Sequence, residues 1–336
     1  MGLVNYSSYI NVTEWRKTGN KSSDQCFYQE DDDEDDDEPG FQNIQFAESI
    51  LMLILNLSTF LLIVKHKRLR KTYSNIFILN LLVAHMLFSI SLITLSSLHI
   101  TSHYDLLSMN VVYFVIDILL MHIFLSLLIT TLDRHIAIKY PFEYGKIRNK
   151  QVFLVTLSSW MVTIVFTTIL LTCHLEQKHL TIVGTCILGI AMVTLISSNV
   201  NVYIIARRHA KSIFVQVTVT GREAVKDKKR QLRKTIKSTY VCLSIVFLFL
   251  FLWLPYFMYN LMDLIGHGDR TLEVMEELSI KFWVEVVALL YPVTSPIIIV
   301  LLRRDIRTEL KKSLKRRSRK TFTENSVTGK WTTTNF

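Results

Sequence analysis

Ile245-Val246-Phe247-Leu248-Phe249-Leu250-Phe251-Leu252-Trp253-Leu254 is apolar on every side of a helix, with no charge in ten residues. A surface helix of a soluble protein shows one apolar stripe, so this segment must lie in hydrocarbon or among other apolar helices. The run that contains it extends from about 236 to 263, and six others of similar length occupy 44–64, 75–98, 108–133, 152–173, 180–206 and 279–302. Each is near or above the ~20 residues a helix needs to cross ~30 Å of hydrocarbon. The expected fold is an all-α membrane protein, a seven-transmembrane helix bundle over 44–302. Half of the 336 residues are apolar and only 10 Gly and 5 Pro occur, which excludes collagen-like and generally disordered classes.

Charge orients the bundle. Lys and Arg collect in cytoplasmic loops, and 32 of the 38 basic residues fall in alternate connections and the carboxyl tail: Lys65 to Lys71, Arg134 to Lys150, Arg207 to Lys237, and beyond Arg303. Those segments are assigned to the inside, which leaves residues 1–43 extracellular. The net charge of +10 is then a topology signal and an attraction to anionic membrane lipids, with no nucleic-acid partner implied. Met1 to Phe41 lacks a charged-then-apolar cleavable signal, so the first helix is expected to serve as the targeting element. Three glycosylation acceptors, Asn5, Asn11 and Asn20, share the external tail. Glu30 to Glu38 is an unbroken acidic run, which self-repels and keeps the tail disordered; it is a solvated spacer or a trap for a basic ligand.

Trp160, Leu252-Trp253-Leu254-Pro255, Ser295-Pro296 and Asp133-Arg134-His135 sit in or at the end of separate apolar runs. This set resembles the rhodopsin-like (class A) G-protein-coupled receptors, over roughly 44 to 315, without assigning a subfamily. The resemblance implies a plasma-membrane receptor that couples an extracellular ligand to a heterotrimeric G protein, with arrestin and receptor kinases as further partners. It implies coupling and activation roles for Asp133, Arg134, Tyr203, Phe249, Pro255 and Pro296. Arg134 would turn from Asp133 to the G protein on activation.

Several landmarks are altered. The Cys that would staple the outer end of the third helix is replaced by Met109, leaving Cys26, Cys173 and Cys186 as the external thiols. In Asn80-Leu81-Leu82-Val83-Ala84-His85 the family's sodium-binding Asp is replaced by His85, and imidazole offers no hard anionic oxygen to sodium. His85 is either a hydrogen-bonded core residue beside Asn56 and Ser295 or a proton sensor. Ser295-Pro296-Ile297-Ile298-Ile299 stands where the family has Asn-Pro-x-x-Tyr, and Leu195 replaces the fifth helix's proline. At the inner end of the sixth helix, Arg233-Lys234-Thr235 offers no carboxylate to clasp Arg134, which suggests raised basal activity. Residues 303–315 pattern as a short amphipathic interfacial helix with Ile306 and Leu310 on one face. Residues 316–336 read as a disordered cytoplasmic tail with hydroxyls available to kinases.

Ionisable groups inside membrane helices are costly and mark function by default. Asp117 and Glu285 fall in the outer thirds of the third and seventh helices. With Trp253, Tyr256, Phe257 and Asn260 they compose a candidate ligand site whose carboxylates and aromatic wall suit a cationic amine or a basic peptide. Asp117 is one residue from the position of the amine receptors' cation-binding Asp, which here is Ile116, a rotation of about 100°. Glu285 could instead pair with Lys281 along its own helix. His99, His103 and His122 read as structural or rim residues. No catalytic motif, metal-ligand spacing or cofactor-binding loop is present, so an enzyme is not expected. The alternatives to a signalling receptor are a non-signalling ligand trap or dimer partner, and a transporter, for which no internal repeat is visible.

Overall fold

The computed structural model describes residues 39–313 except 71–72, 102–105, 145, 147–148, 173–176, 221–222 and 266–273. Asn5, Asn11, Asn20, the acidic run, Cys26, Cys173 and the tail hydroxyls beyond 313 lie outside the described residues. Seven long helices run through the chain: α1 (Pro39–Lys65), α2 (Tyr73–Thr101), α3 (Leu106–Lys139), α4 (Asn149–Thr172), α5 (Gln177–Thr220), α6 (Glu223–Ile265) and α7 (Val274–Leu302). Each contains an apolar span of membrane-crossing length. Single helical turns follow α1 (Lys67–Arg70) and α3 (Pro141–Tyr144), and residues 304–313 form a last short helix, α8. No strand occurs among the described residues.

α3 is the axis of the bundle: it packs on α2, α4, α5 and α6, while α1, α2, α5, α6 and α7 close around it through contacts between α7 and α1 and between α5 and α6. Leu51, Leu61, Phe153, Val162, Phe247 and Phe251 project outward, as expected where the solvent is lipid. Small residues set some spacings. A Cβ added to Gly189 on α5 would sit 3.2 Å from the Phe257 ring of α6.

Two features depart from the expected segments. The stretch from Arg207 to Lys237, read as a basic inner loop, is helical up to Thr220 and again from Glu223; Lys, Arg, Gln and Ala in the second part are strong helix formers, whereas Ile213 to Val219 is helical despite its β-branched residues. α1 starts at Pro39, ahead of the apolar run, and Pro suits a first helical position where its missing N–H has no partner to lose.

Interior prolines leave carbonyls to be satisfied. Pro296 has no N–H for the carbonyl of Pro292, four residues earlier, and the Asn56 side chain donates to that oxygen at 2.9 Å while also bonding the Met52 carbonyl at 2.8 Å. A buried amide on α1 thus repairs the break in α7 and fixes the two helices together.

Candidate functional site

Three polar regions punctuate the apolar bundle. At the end remote from the Lys- and Arg-rich segments, a cavity of about 60 Å³ lies between α3, α4, α5 and α6, lined by Asp117, Thr167, Trp253, Tyr256 and Asn260 among others. The offset from Ile116 does not keep Asp117 out of it: Ile116 is buried in the core, and Asp117, 7% exposed, faces the cavity. Asn260 anchors its amide on the Tyr256 carbonyl one turn back. Glu285 on α7 does not line this cavity, but it lies within electrostatic reach of Tyr256, as Asp117 does. Phe257 is turned toward α5 at Gly189 and is not among the lining residues. Four of the six candidate ligand residues therefore share one cavity, and Glu285 borders it through Tyr256.

Thr167 was not singled out by sequence reasoning. Thr156, Thr163, Thr168 and Thr172 on the same helix all donate to carbonyls one turn back, the usual way a helical Thr is satisfied. Thr167 is buried, and its hydroxyl, like the Trp253 indole N–H, has no hydrogen-bond partner among the described residues.

From this cavity a run of ring contacts descends through the bundle. Tyr256 meets Trp253 edge-on at 5.5 Å, Trp253 stacks on Phe249 at 5.7 Å, Phe249 meets Tyr291 at 5.1 Å, and Tyr291 meets His85 at 5.5 Å. Phe124 on α3 touches both Trp253 and Phe249. His85 is fully buried, with Nδ1 3.2 Å from Asn56 Oδ1 and 3.5 Å from Ser295 Oγ. Since the Asn56 amide nitrogen is committed to two carbonyls, its oxygen faces His85 and Nδ1 carries the proton. His85 Nε2 has no partner among the described residues, so a second proton there would meet no acceptor.

A second buried His holds the opposite side. Trp160 Nε1–H can only donate, and it donates to Asn80 Oδ1 at 2.9 Å. The Asn80 amide nitrogen then donates to Ser126 Oγ at 2.9 Å and faces His122 Nε2 at 3.3 Å. Nε2 must accept, so His122 is neutral; its ring stacks on Trp160 at 3.7 Å. His122 is a structural residue of the α2–α3–α4 contact.

At the basic end, Arg134 Nε donates to Asp133 Oδ2 at 2.9 Å, Nη2 bonds the same carboxylate, and both side chains are buried. Tyr144, in the turn after α3, completes this group: its hydroxyl donates to Asp133 Oδ1 at 3.0 Å and accepts from Arg134 Nη2 at 3.0 Å, and its ring lies 5.9 Å from the guanidinium. Tyr144 is thus a further partner of Arg134 that sequence reasoning did not foresee, supplied by the turn after α3 and not by the sixth helix. Burial, opposed in part by Arg134, raises the Tyr144 pKa above the usual phenol range. Arg303, just before α8, is buried near Arg134, Asp133 and Cys242, with Nη1 unpartnered among the described residues, and burial lowers its pKa.

Tyr203 is 43% exposed and makes no hydrogen bond among the described residues, whereas Ile299 and Phe249 are fully buried in the core. Met109, at the position of the missing staple, is also a core residue. Cys186 and Cys242 are free thiols. A buried carboxyl on α1, Glu48, has both oxygens unpartnered among the described residues and was overlooked in the sequence because it sits near the start of its apolar run.

The family model described as 7 transmembrane receptor (rhodopsin family) matches residues 55–299. The chain belongs to that family. The crystal structure of squid rhodopsin is similar to this receptor with a TM-score of 0.69, over 82% of this chain and 85% of that one, at 15% identity; the likeness is one of fold. No curated protein matches the receptor significantly in sequence. Membership identifies a multi-pass, seven-helix membrane receptor and sets the transporter alternative aside.

Proposed function

We propose that this receptor lies in the plasma membrane with its amino terminus outside, binds a cationic ligand at the Asp117–Tyr256–Asn260 cavity, and activates a heterotrimeric G protein through the crevice around Arg134. The observation that carries the reading is the unbroken ring-to-ring path from Tyr256 through Trp253, Phe249 and Tyr291 to His85. Close-packed aromatic rings are bistable rather than continuously deformable, so a ligand that shifts Trp253 biases the packing of α6 against α7 and α3. Release of Arg134 from Asp133 and Tyr144 would accompany that repacking and open the crevice. A ligand shifts such an equilibrium only by its differential affinity for the two arrangements. The basic extensions of α5 and α6, and α8 with its buried Ile306, suit contact with anionic lipid, arrestin and receptor kinases.

A second reading, a receptor that binds without signalling, is favoured by Ile299, which cannot offer the hydroxyl its family position usually carries. An energy-transfer reporter at the basic end of α6, in cells treated with a library of amines and basic peptides, separates the two. A signal that Asp117→Asn removes and Lys178→Ala leaves intact supports the first. Binding that Asp117→Asn removes, with no change in the reporter or in G-protein recruitment, supports the second.

A further inference from the structure

Beside the polar cavity lies a larger, apolar one of about 250 Å³ between α3, α4 and α5. Met121, Phe124 and Ile187 line both, so the two are adjacent and meet at these three side chains. The lip of the apolar cleft is made by Val162 and Phe166, which are exposed on the lipid side of α4. The cleft stays open because α4 packs on α3 and α2 and scarcely meets α5 among the described residues. The polar cavity alone is far below the ~300 Å³ at which drug-sized ligand sites begin; it takes a head group of a few atoms. Its chemistry is specific. Asp117 favours a cation and disfavours an anion, and the Trp253 N–H, which can only donate, requires an oxygen acceptor. The Thr167 hydroxyl, buried in the same lining and unpartnered among the described residues, adds a second hydrogen-bonding group.

Building on the ligand site proposed above, we infer that the receptor takes single-chain amphiphiles with an amino-alcohol head group from the bilayer. The head sits in the Asp117–Thr167–Trp253 cavity, and the alkyl chain lies in the α3–α4–α5 cleft. No bond is made or broken: the ammonium faces Asp117, the hydroxyl oxygen accepts from Trp253 Nε1–H, and the chain exchanges lipid neighbours for Phe166, Ile187 and Ala191.

The test uses the full chain in phosphatidylcholine nanodiscs and, as probe, 2-aminohexadecan-1-ol with a photoactivatable diazirine halfway along its chain. Saturable labelling of the peptides containing Phe166 and Ala191 is expected, competed about tenfold better by the unlabelled amino alcohol than by hexadecanoic acid. Val162→Trp, which fills the lip from an exposed position, lowers labelling by about tenfold, whereas Leu61→Trp on the outer face of α1 leaves it unchanged. Trp253→Phe weakens competition by the amino alcohol and not by hexadecylamine, which lacks the oxygen. Labelling that never saturates, that spreads equally to α1 and α7, or that the acid competes as well as the amine would show an ordinary lipid groove and overturn the inference. None of these readouts needs a G protein. Expected labelling without nucleotide exchange would refute signalling alone, and exchange evoked by another ligand without saturable labelling would refute this inference alone.

Discussion

Replacing Tyr144 by Phe keeps the ring and removes the hydroxyl that joins Asp133 Oδ1 and Arg134 Nη2 at 3.0 Å each. A hydrogen bond to a charged group is worth ~1.5–3 kcal/mol net. Because both contacts share one hydroxyl in a half-buried site, where water can replace it, a single such value is the better measure of the loss. If the contacts exist only while Arg134 is held, the released arrangement gains by the same amount. At ~1.4 kcal/mol per factor of ten, its population relative to the held one rises about tenfold to a hundredfold. A released fraction of about 1% would become about 10–50%. The assay is ligand-free nucleotide exchange on a panel of G-protein heterotrimers by equal amounts of wild type and Tyr144→Phe in nanodiscs. An increase of about fivefold or more is expected. Exchange by Tyr144→Phe equal to or below wild type, from a receptor whose exchange Arg134→Ala still abolishes, would refute the idea that Tyr144 restrains Arg134.

Three further outcomes follow from buried contacts. Exchanging external sodium for a bulky cation should leave basal exchange unchanged in wild type, while His85→Asp, which places a carboxylate beside Asn56 and Ser295, should make exchange sodium-sensitive; a wild-type shift of about tenfold would contradict this. Asn80→Leu strands the Trp160 indole N–H, at ~1–3 kcal/mol, while the Ser126 hydroxyl keeps His122 Nε2 at 3.2 Å, and should lower the thermal midpoint in a dye-unfolding assay, whereas an unchanged midpoint would show that the network contributes nothing net. Burial raises the folded pKa of Tyr144 above its unfolded value, so its contribution is fully present below the unfolded phenol pKa of ~10 and lost as pH rises through the folded one; the ratio of Tyr144→Phe to wild-type exchange should stay constant from about pH 6 to 9, and convergence of the two within that window would refute it.

The seven helices were legible because each is written as a continuous apolar run whose length only a bilayer demands. The basic extensions of α5 and α6 were not, since their charge suggested loops and neither carries a continuous apolar run. Counting residues from Arg134 suggested that Asp117 was rotated away from the amine-binding position; packing of α3 against four neighbours decides the facing, and Asp117 lines the cavity. Tyr144 escaped notice because Pro141-Phe142-Glu143-Tyr144 is a single turn without pattern, and only its fold back onto Asp133 gives the hydroxyl meaning. Thr167 looks like any other hydroxyl of α4 until its neighbours' hydrogen bonds are compared. The partners of His85 could be named in advance, since Asn56 and Ser295 occupy matching depths in their helices, but its tautomer depended on where the Asn56 amide is committed.

The most direct test of a signalling receptor is ligand-free nucleotide exchange on a complete heterotrimer panel by the sensitised Tyr144→Phe receptor, with Arg134→Ala added in the same chain. Exchange well above receptor-free nanodiscs on at least one heterotrimer, returned to background by Arg134→Ala, is the predicted result; background exchange on every heterotrimer from a folded, correctly inserted Tyr144→Phe receptor would contradict G-protein coupling through this crevice.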